Sequence, residues 1–208
     1  MVNLLMSLNT LNQQFAFLRE IDRLKNVIRQ SPLLDRSRRE NSAEHSWHLA
    51  VYALILREYA AAQVNLERVI QMLLIHDIVE VDVGDTPIHH VSSGASQAEL
   101  EASAAVRLFG MIPGEQGAAL LVLWREFELA ESNDAKFAKA LDRVQPLLVN
   151  VSTGGGTWKE NSVTLEQVLQ RYGPTIARGS PTLWTACEAL VREHFAVQDG
   201  KRGIASDA

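Results

Sequence analysis

Three short segments of the chain carry residue types suited to metal chemistry: Glu44-His45-Ser46-Trp47-His48, His76-Asp77-Ile78-Val79-Glu80 and Leu141-Asp142-Arg143. The second closes the apolar run Leu73-Leu74-Ile75, so an ionisable pair stands where burial is expected. Burying a carboxylate is costly unless it is paired or bound to a cation. Glu80 follows His76 by four residues and Asp77 by three, a spacing that puts all three on one face of a helix. An adjacent His-Asp pair is common by chance, and a lone helical histidine is more often a hydrogen-bonded core residue than a ligand. The combination is what points to a metal. His45 stands 31 residues before His76, and Asp142 stands 65 residues after Asp77. Asp142 also falls in an apolar-periodic stretch (Phe137, Leu141, Leu147, Leu148) where packing alone would favour an apolar residue. Two imidazoles and two carboxylates form a mixed nitrogen and oxygen set, less typical of calcium, which prefers oxygen throughout. It suits one divalent ion (Mn, Co, Fe, Ni, Zn or Mg), whose identity the ligand types do not decide.

Helices must position these residues, because the pattern is helical nearly throughout. Phe15, Leu18, Ile21, Leu24 and Ile28 recur at three- and four-residue steps and predict an amphipathic helix ending at Ser31-Pro32. Asn41 and Glu44 form a capping-box pair opening a helix that carries His45, His48, Tyr52 and Leu56. A third helix is expected from about Asn65 to Glu80. Ser96 with Glu99 opens another that stops at Gly110, and Leu120 to Ala130 predicts a further one. Residues 134–150 are helical by pattern, with Pro146 expected to kink or shorten the element. Gly154-Gly155-Gly156 marks a loop without the strand or Lys-Ser/Thr context of a phosphate loop. Thr164 and Gln167 open a short helix ending at Gly173-Pro174. Ser180-Pro181 starts the last one, with a frayed tail expected after Gln198. There is no convincing alternating strand, internal repeat or long linker. The expectation is an all-α fold, a single compact bundle over residues 1–208 with the metal site among its core helices.

Composition narrows the partners. The chain has 208 residues and 47% hydrophobic content, enough to bury a core without disulfides, so a metal here would serve chemistry more than folding. The formal net charge of −5 and the absence of a Lys/Arg stripe argue against a nucleic-acid polymer as partner. The one basic cluster, Arg36, Arg38 and Arg39, is of a size to suit a single phosphate, or is a solvated turn. Cys187 is the only cysteine, which excludes an intrachain disulfide and accords with a reducing compartment. The apolar run Leu49 to Leu56 is far short of the ~20 residues that span a bilayer, and the N-terminus lacks the form of a signal peptide. The expectation is a cytoplasmic protein without membrane association.

The order His45, His76-Asp77, Asp142 resembles the signature of the HD superfamily of metal-dependent phosphohydrolases. The flanking segments, Arg38 to His45, His76 to Asp85 and Ala135 to Asp142, are similar to those of the YfbR-like 5′-deoxynucleotidases. The resemblance spans about residues 14–150, roughly two thirds of the chain, with 151–208 a C-terminal helical extension. It implies an all-helical fold, a divalent metal on His45, His76, Asp77 and Asp142, and release of phosphate from deoxynucleoside monophosphates by a homodimer. It also implies catalytic parts for Glu80 and Asp85. Glu80 is the first choice to orient or deprotonate the attacking water; Asp85, just after Gly84, is placed to protonate the leaving oxygen or to make a supporting contact. Arg38, Arg39 and Lys139 are candidates to neutralise phosphate charge, or are ordinary solvated side chains. His48 is expected to be a core or capping residue, and a second metal site at His89-His90 is disfavoured.

One departure bears on the substrate. The family carries an Arg-Trp pair before the proline matching Pro32, whereas this chain has Gln30 and Ser31 there, with Arg29 one place earlier. Trp47 and Trp124 are expected to fill the core. Two other readings stay open: hydrolysis of another small phosphoester at the same site, or a sensor that binds metal and nucleotide without turnover.

Overall fold

The structure is a computed structural model that describes residues 2–86 and 94–206. Helix α1 (Val2–Ile21) passes through a 3₁₀ turn (Asp22–Asn26) into strand β1 (Ile28–Pro32), which pairs antiparallel with strand β2 (Arg39–Asn41). There follow α2 (Ser42–Leu56), α3 (Leu66–Ile75), a 3₁₀ turn (His76–Val79), α4 (Glu80–Val83), α5 (Gly94–Phe109) and α6 (Gly114–Leu129). Helices α7 (Asn133–Ser152), α8 (Gly156–Glu160), α9 (Leu165–Gly179) and α10 (Pro181–Ser206) complete the chain. The fold is all-helical apart from the short hairpin. His89-His90 lie outside the described residues.

Helix α7 is the axis, packed against α2, α3, α6, α9 and α10. Its inward residues Phe137, Leu141 and Leu147 are fully buried beside Leu49 of α2, and Met72 and Leu73 of α3. Close approach of α9 to α7 requires Gly179, where an added Cβ would stand 2.2 Å from the Lys136 carbonyl oxygen. Asp142 thus sits in the wall of the core, on the helix with most neighbours.

The capping signals read in the sequence are made. Asn41 accepts from the Glu44 amide at 2.9 Å while Glu44 accepts from the Asn41 amide at 3.1 Å. Thr164 and Gln167 form the same reciprocal pair, and Ser180 Oγ caps α10 by accepting from the Leu183 amide at 3.1 Å. Such caps satisfy N-terminal amides that have no intrahelical acceptor.

Several boundaries differ from expectation, each for a physical reason. The helix expected from Phe15 to Ile28 stops at Ile21. The β-branched Val27 and Ile28 lead into the hairpin, and Phe15, Leu18 and Ile28 are exposed rather than core-facing. Helix α3 ends at Ile75, and His76 to Val79 wind as a 3₁₀ turn before α4 begins at Glu80. Helix α5 begins at Gly94, ahead of Ser96, and α6 at Gly114, ahead of Leu120. Neither Pro146 nor Pro174 ends its helix. Each deprives only one carbonyl of its donor, and packing against neighbouring helices carries α7 to Ser152 and α9 to Gly179. The backbone of α10 is helical to Ser206, past the expected fraying at Gln198.

Candidate metal centre

His45 lies on the first turn of α2, held by the Asn41–Glu44 capping box, and is fully buried. Its Nε2 is 3.0 Å from Asp142 Oδ1. His76 opens the 3₁₀ turn after α3, and its Nδ1 lies 2.9 Å from the Leu73 carbonyl oxygen, which accepts its proton. The indole N–H of Trp124 donates to the His76 carbonyl at 3.1 Å, and Phe127 packs against the imidazole with ring centroids 4.9 Å apart. His76 Nε2 is thereby turned toward Asp77 Oδ1 at 3.0 Å and Asp142 Oδ1 at 3.7 Å. Ligand atoms of His45, His76 and Asp142 all fall within 4.8 Å of one another, a group competent to hold a metal ion. Asp77 stands beside that trio through His76, with its other carboxylate oxygen bonded to Arg29 Nη1 at 2.9 Å.

Arg29 is the residue the sequence did not single out as part of the site. It comes from β1, nearly buried, and its guanidinium also lies 3.5 Å from Asp85 and 3.9 Å from Glu80. The strand register is irregular between Ile28 and Pro32, the stretch from which Arg29 reaches the centre. The available signal was the guanidinium close before Pro32. Glu40 of β2 was also missed. It is buried, 3.7 Å from both Arg29 Nε and His45 Nδ1, and accepts from Gln145 Nε2 at 3.1 Å.

Glu80 and Asp85, the expected catalytic pair, both face this cluster. Glu80 accepts a hydrogen bond from Ser42 Oγ. Burial, reinforced by the charge of Asp77, pushes its carboxyl up to about 9. Burial likewise raises Asp85, with Arg29 opposing. Glu40 is pushed up to about 7 by burial against the pull of Arg29. Burial drives His45 down to about 4, so its imidazole is neutral. At His76 burial also opposes the charged form, but Asp77 and Asp142 outweigh it and raise the ring to about 10.

Burial is the largest cause throughout, and crowding of like charges adds to it at Glu80 and Asp85. Five largely buried carboxylates (Glu40, Asp77, Glu80, Asp85 and Asp142) face two guanidinium groups, Arg29 and Arg143, the latter donating to Asp142 at 3.0 Å. Buried carboxylates in excess of cations are stable only when some take up protons or a further cation is present. His76 Nε2 and His45 Nδ1 have no well-formed hydrogen bond among the described residues. A donor set of this kind fits a divalent metal: the ion supplies positive charge and takes the lone pair of His76 Nε2 in place of a proton.

Beside the cluster opens a polar recess lined by Arg29, Gln30, Ser31, Asp85, Arg143, Asn150, Thr157, Asn161 and Tyr172. Its far wall comes from α7, α8 and α9, so the C-terminal helices contribute to it. The three basic candidates are placed elsewhere. Arg38 is paired with Glu44 at 2.6 Å, and Arg39 with Glu160 at 3.0 Å, both bordering a separate open groove. Lys139 lies over the Phe127 ring and pairs with Glu128 at 3.0 Å. None of the three lines the recess; Arg29 and Arg143 do. His48 is half-buried, edge-on to Tyr52. Trp124 fills the core as expected, but Trp47 is 64% exposed and does not.

A family model described as HD domain matches residues 21–184. The chain belongs to the HD domain family. The match takes in every residue of the cluster and most of the C-terminal helices. A solved structure from Magnetospirillum magnetotacticum MS-1, described as a predicted metal-dependent phosphohydrolase, is 50% identical with a TM-score of 0.85, covering 89% of this chain and 93% of that one. The 5′-deoxynucleotidase of Erwinia tasmaniensis is 31% identical over 163 residues, 74% of this chain and 82% of that protein. Human 5′-deoxynucleotidase HDDC2 is 29% identical over 134 residues, 64% of each chain, so the match spans somewhat under two thirds of that relative. The HD family membership accounts for the order of histidines and aspartates; the geometry shows how this chain supports them.

Proposed function

We propose that this HD domain protein is a metal-dependent phosphomonoesterase acting on 5′-deoxynucleoside monophosphates. The observation that carries the reading is a buried His45–His76–Asp142 trio, adjoined by Asp77 and joined through Arg29 and Arg143 to a recess that both guanidinium groups line. The names of the Erwinia and human relatives support the substrate class. His45, His76, Asp77 and Asp142 would hold one divalent ion, which when bound supplies Lewis acidity toward a phosphoryl oxygen and an activated water. Arg29 and Arg143 border the recess where they can neutralise the phosphate, taking the part first expected of Arg38, Arg39 and Lys139. Glu80, held by Ser42, orients the attacking water, and the charge of a bound ion would lower its carboxyl toward the form that accepts the water's proton. Asp85, whose carboxyl burial raises above the ordinary carboxylate range, lines the recess where it can give a proton to the leaving oxygen.

The chain acts as one domain, with α9 and α10 packed on α7 as part of the same body. A shallow apolar groove between Leu18, Trp47 and Leu74 supports self-association as a homodimer. Among the described residues no helix is long and apolar enough to cross a membrane, in keeping with a cytoplasmic enzyme.

A second reading keeps the site and changes the substrate to another small phosphoester. Gln30 and Ser31 line the recess where the resembled family has its Arg-Trp pair, and no tryptophan takes their place. Phosphate release from a panel of deoxy- and ribonucleoside monophosphates and simple phosphoesters separates the two. Release confined to 5′-deoxynucleotides supports the first reading, and release from other esters alone the second. Metal binding without any release would reduce the protein to a sensor, an outcome that the placement of Glu80 and Asp85 at the centre opposes.

A further inference from the structure

Glu40 stands outside the roles assigned above, yet it is buried to 4% exposure between two of the residues that matter most. Its one hydrogen-bond donor among the described residues is Gln145 Nε2, at 3.1 Å and 3.4 Å from the two carboxylate oxygens. Around it lie two polar atoms, Arg29 Nε and His45 Nδ1, that are buried and without hydrogen-bond partners among the described residues. Each is 3.7 Å from Glu40 Oε1, a few tenths of an ångström beyond a hydrogen bond. A buried carboxylate short of donors and two buried N–H positions short of acceptors are complementary, and each left alone is unfavourable.

Resting on the metal-site reading, we propose that Glu40 is the positioning residue of the centre, its carboxylate accepting from His45 Nδ1–H and from Arg29 Nε–H. A neutral imidazole carries one N–H. With that proton on Nδ1 and directed at Glu40, Nε2 keeps its lone pair on the side of Asp142 and the metal. A carboxylate behind a ligating histidine fixes the ring's tautomer and orientation and makes it a better donor. His76 provides the internal comparison, since the Leu73 carbonyl serves its Nδ1 in the same way. The second contact joins this support to the recess. Arg29 is anchored at Nε by Glu40 while its Nη1 reaches Asp77. Gln145 completes the arrangement by steering the Glu40 carboxylate from α7, three residues after Asp142.

The test compares the wild-type protein with Glu40→Gln and Gln145→Leu, using Mn(II) or Zn(II) alone as the probe. Glu40→Gln is expected to weaken metal binding about 10–100-fold while melting within a few degrees of wild type. Gln145→Leu is expected to fall between the two. In the Zn-loaded wild type, ¹⁵N NMR of the imidazoles is expected to show His45 protonated at Nδ1 and bonded through Nε2. Unchanged metal affinity in a folded Glu40→Gln protein overturns the proposal, as does a His45 bonded through Nδ1. The NMR result stands even if the variant does not fold. Loss of binding in Asp142→Ala with retention in Glu40→Gln would overturn this inference and leave the metal site intact. A wild-type protein that binds neither metal would overturn both.

Discussion

The two histidines reach one point with different kinds of support. His76 is held by main chain and apolar packing: the Leu73 carbonyl takes its Nδ1, Trp124 holds its own carbonyl, and Phe127 covers the ring. His45 rests on the hairpin of β1 and β2, through Glu40 and the cap at Asn41, where polar side chains do the holding. A backbone acceptor cannot be deleted by substitution and keeps one hydrogen-bonding state. A side-chain acceptor can be mutated, and so can be tuned. The centre therefore joins a half fixed by the helical core to a half fixed by a short charged hairpin. That difference predicts how each half fails.

Removing the shared member should do most. Asp142→Ala takes away the carboxylate that faces both imidazoles, so bound metal measured by elemental analysis should fall to background and activity by more than ~100-fold. Next comes Arg29→Met on the hairpin side. It leaves Asp77, Glu80 and Asp85 without their buried cation, and stability in chelator should fall by about 3–5 kcal/mol. Added divalent metal should restore most of the loss in melting temperature, because the ion supplies the missing charge. No recovery with metal would show that the guanidinium serves something other than charge balance. On the His76 side, Trp124→Phe removes a hydrogen bond and part of a buried ring and should cost about 1–3 kcal/mol of stability with a small change in metal affinity. If it costs as much metal affinity as Glu40→Gln, the contrast between the two halves is lost.

The smallest effect lies away from the centre. Burial pushes the Cys187 thiol up to about 11. Between the ordinary thiol value and 11 the unfolded state ionises first and binds fewer protons than the native state, so stability declines as pH rises through that window. At pH 8 the native thiol is neutral, and a thiol reagent should modify it only slowly until denaturant is added. Rapid labelling of the native protein would place Cys187 outside the core.

The sequence made the core half of the site legible because its signals are local. An apolar run ending in His76-Asp77 and an aspartate inside an apolar helix can be read over a few neighbouring residues, as can the Asn41 cap on the hairpin side. The hairpin half was hidden because it depends on partners far along the chain. Arg29 gains its meaning from Asp77, 48 residues on, and Glu40 from Gln145, 105 residues on. The apolar spacing of Phe15, Leu18 and Ile28 predicted a helix through residues that pair as a strand, which hid the element that delivers Arg29. Composition could suggest Arg38, Arg39 and Lys139 as phosphate ligands, but only tertiary structure shows Glu44, Glu160 and Glu128 already beside them. The change from α3 to a 3₁₀ turn at His76 was equally unreadable, since it follows from packing and not from any breaker in the sequence.

A single divalent ion at His45, His76, Asp77 and Asp142 is proposed to drive phosphate release. The most direct test is to strip the protein with chelator, add Mn(II) or Co(II) in fractions of an equivalent, and follow release from a 5′-deoxynucleoside monophosphate. The account predicts no release from stripped protein and a rise that levels off at one equivalent per chain. Undiminished release from fully stripped protein, or a rise that continues to two equivalents, would contradict it.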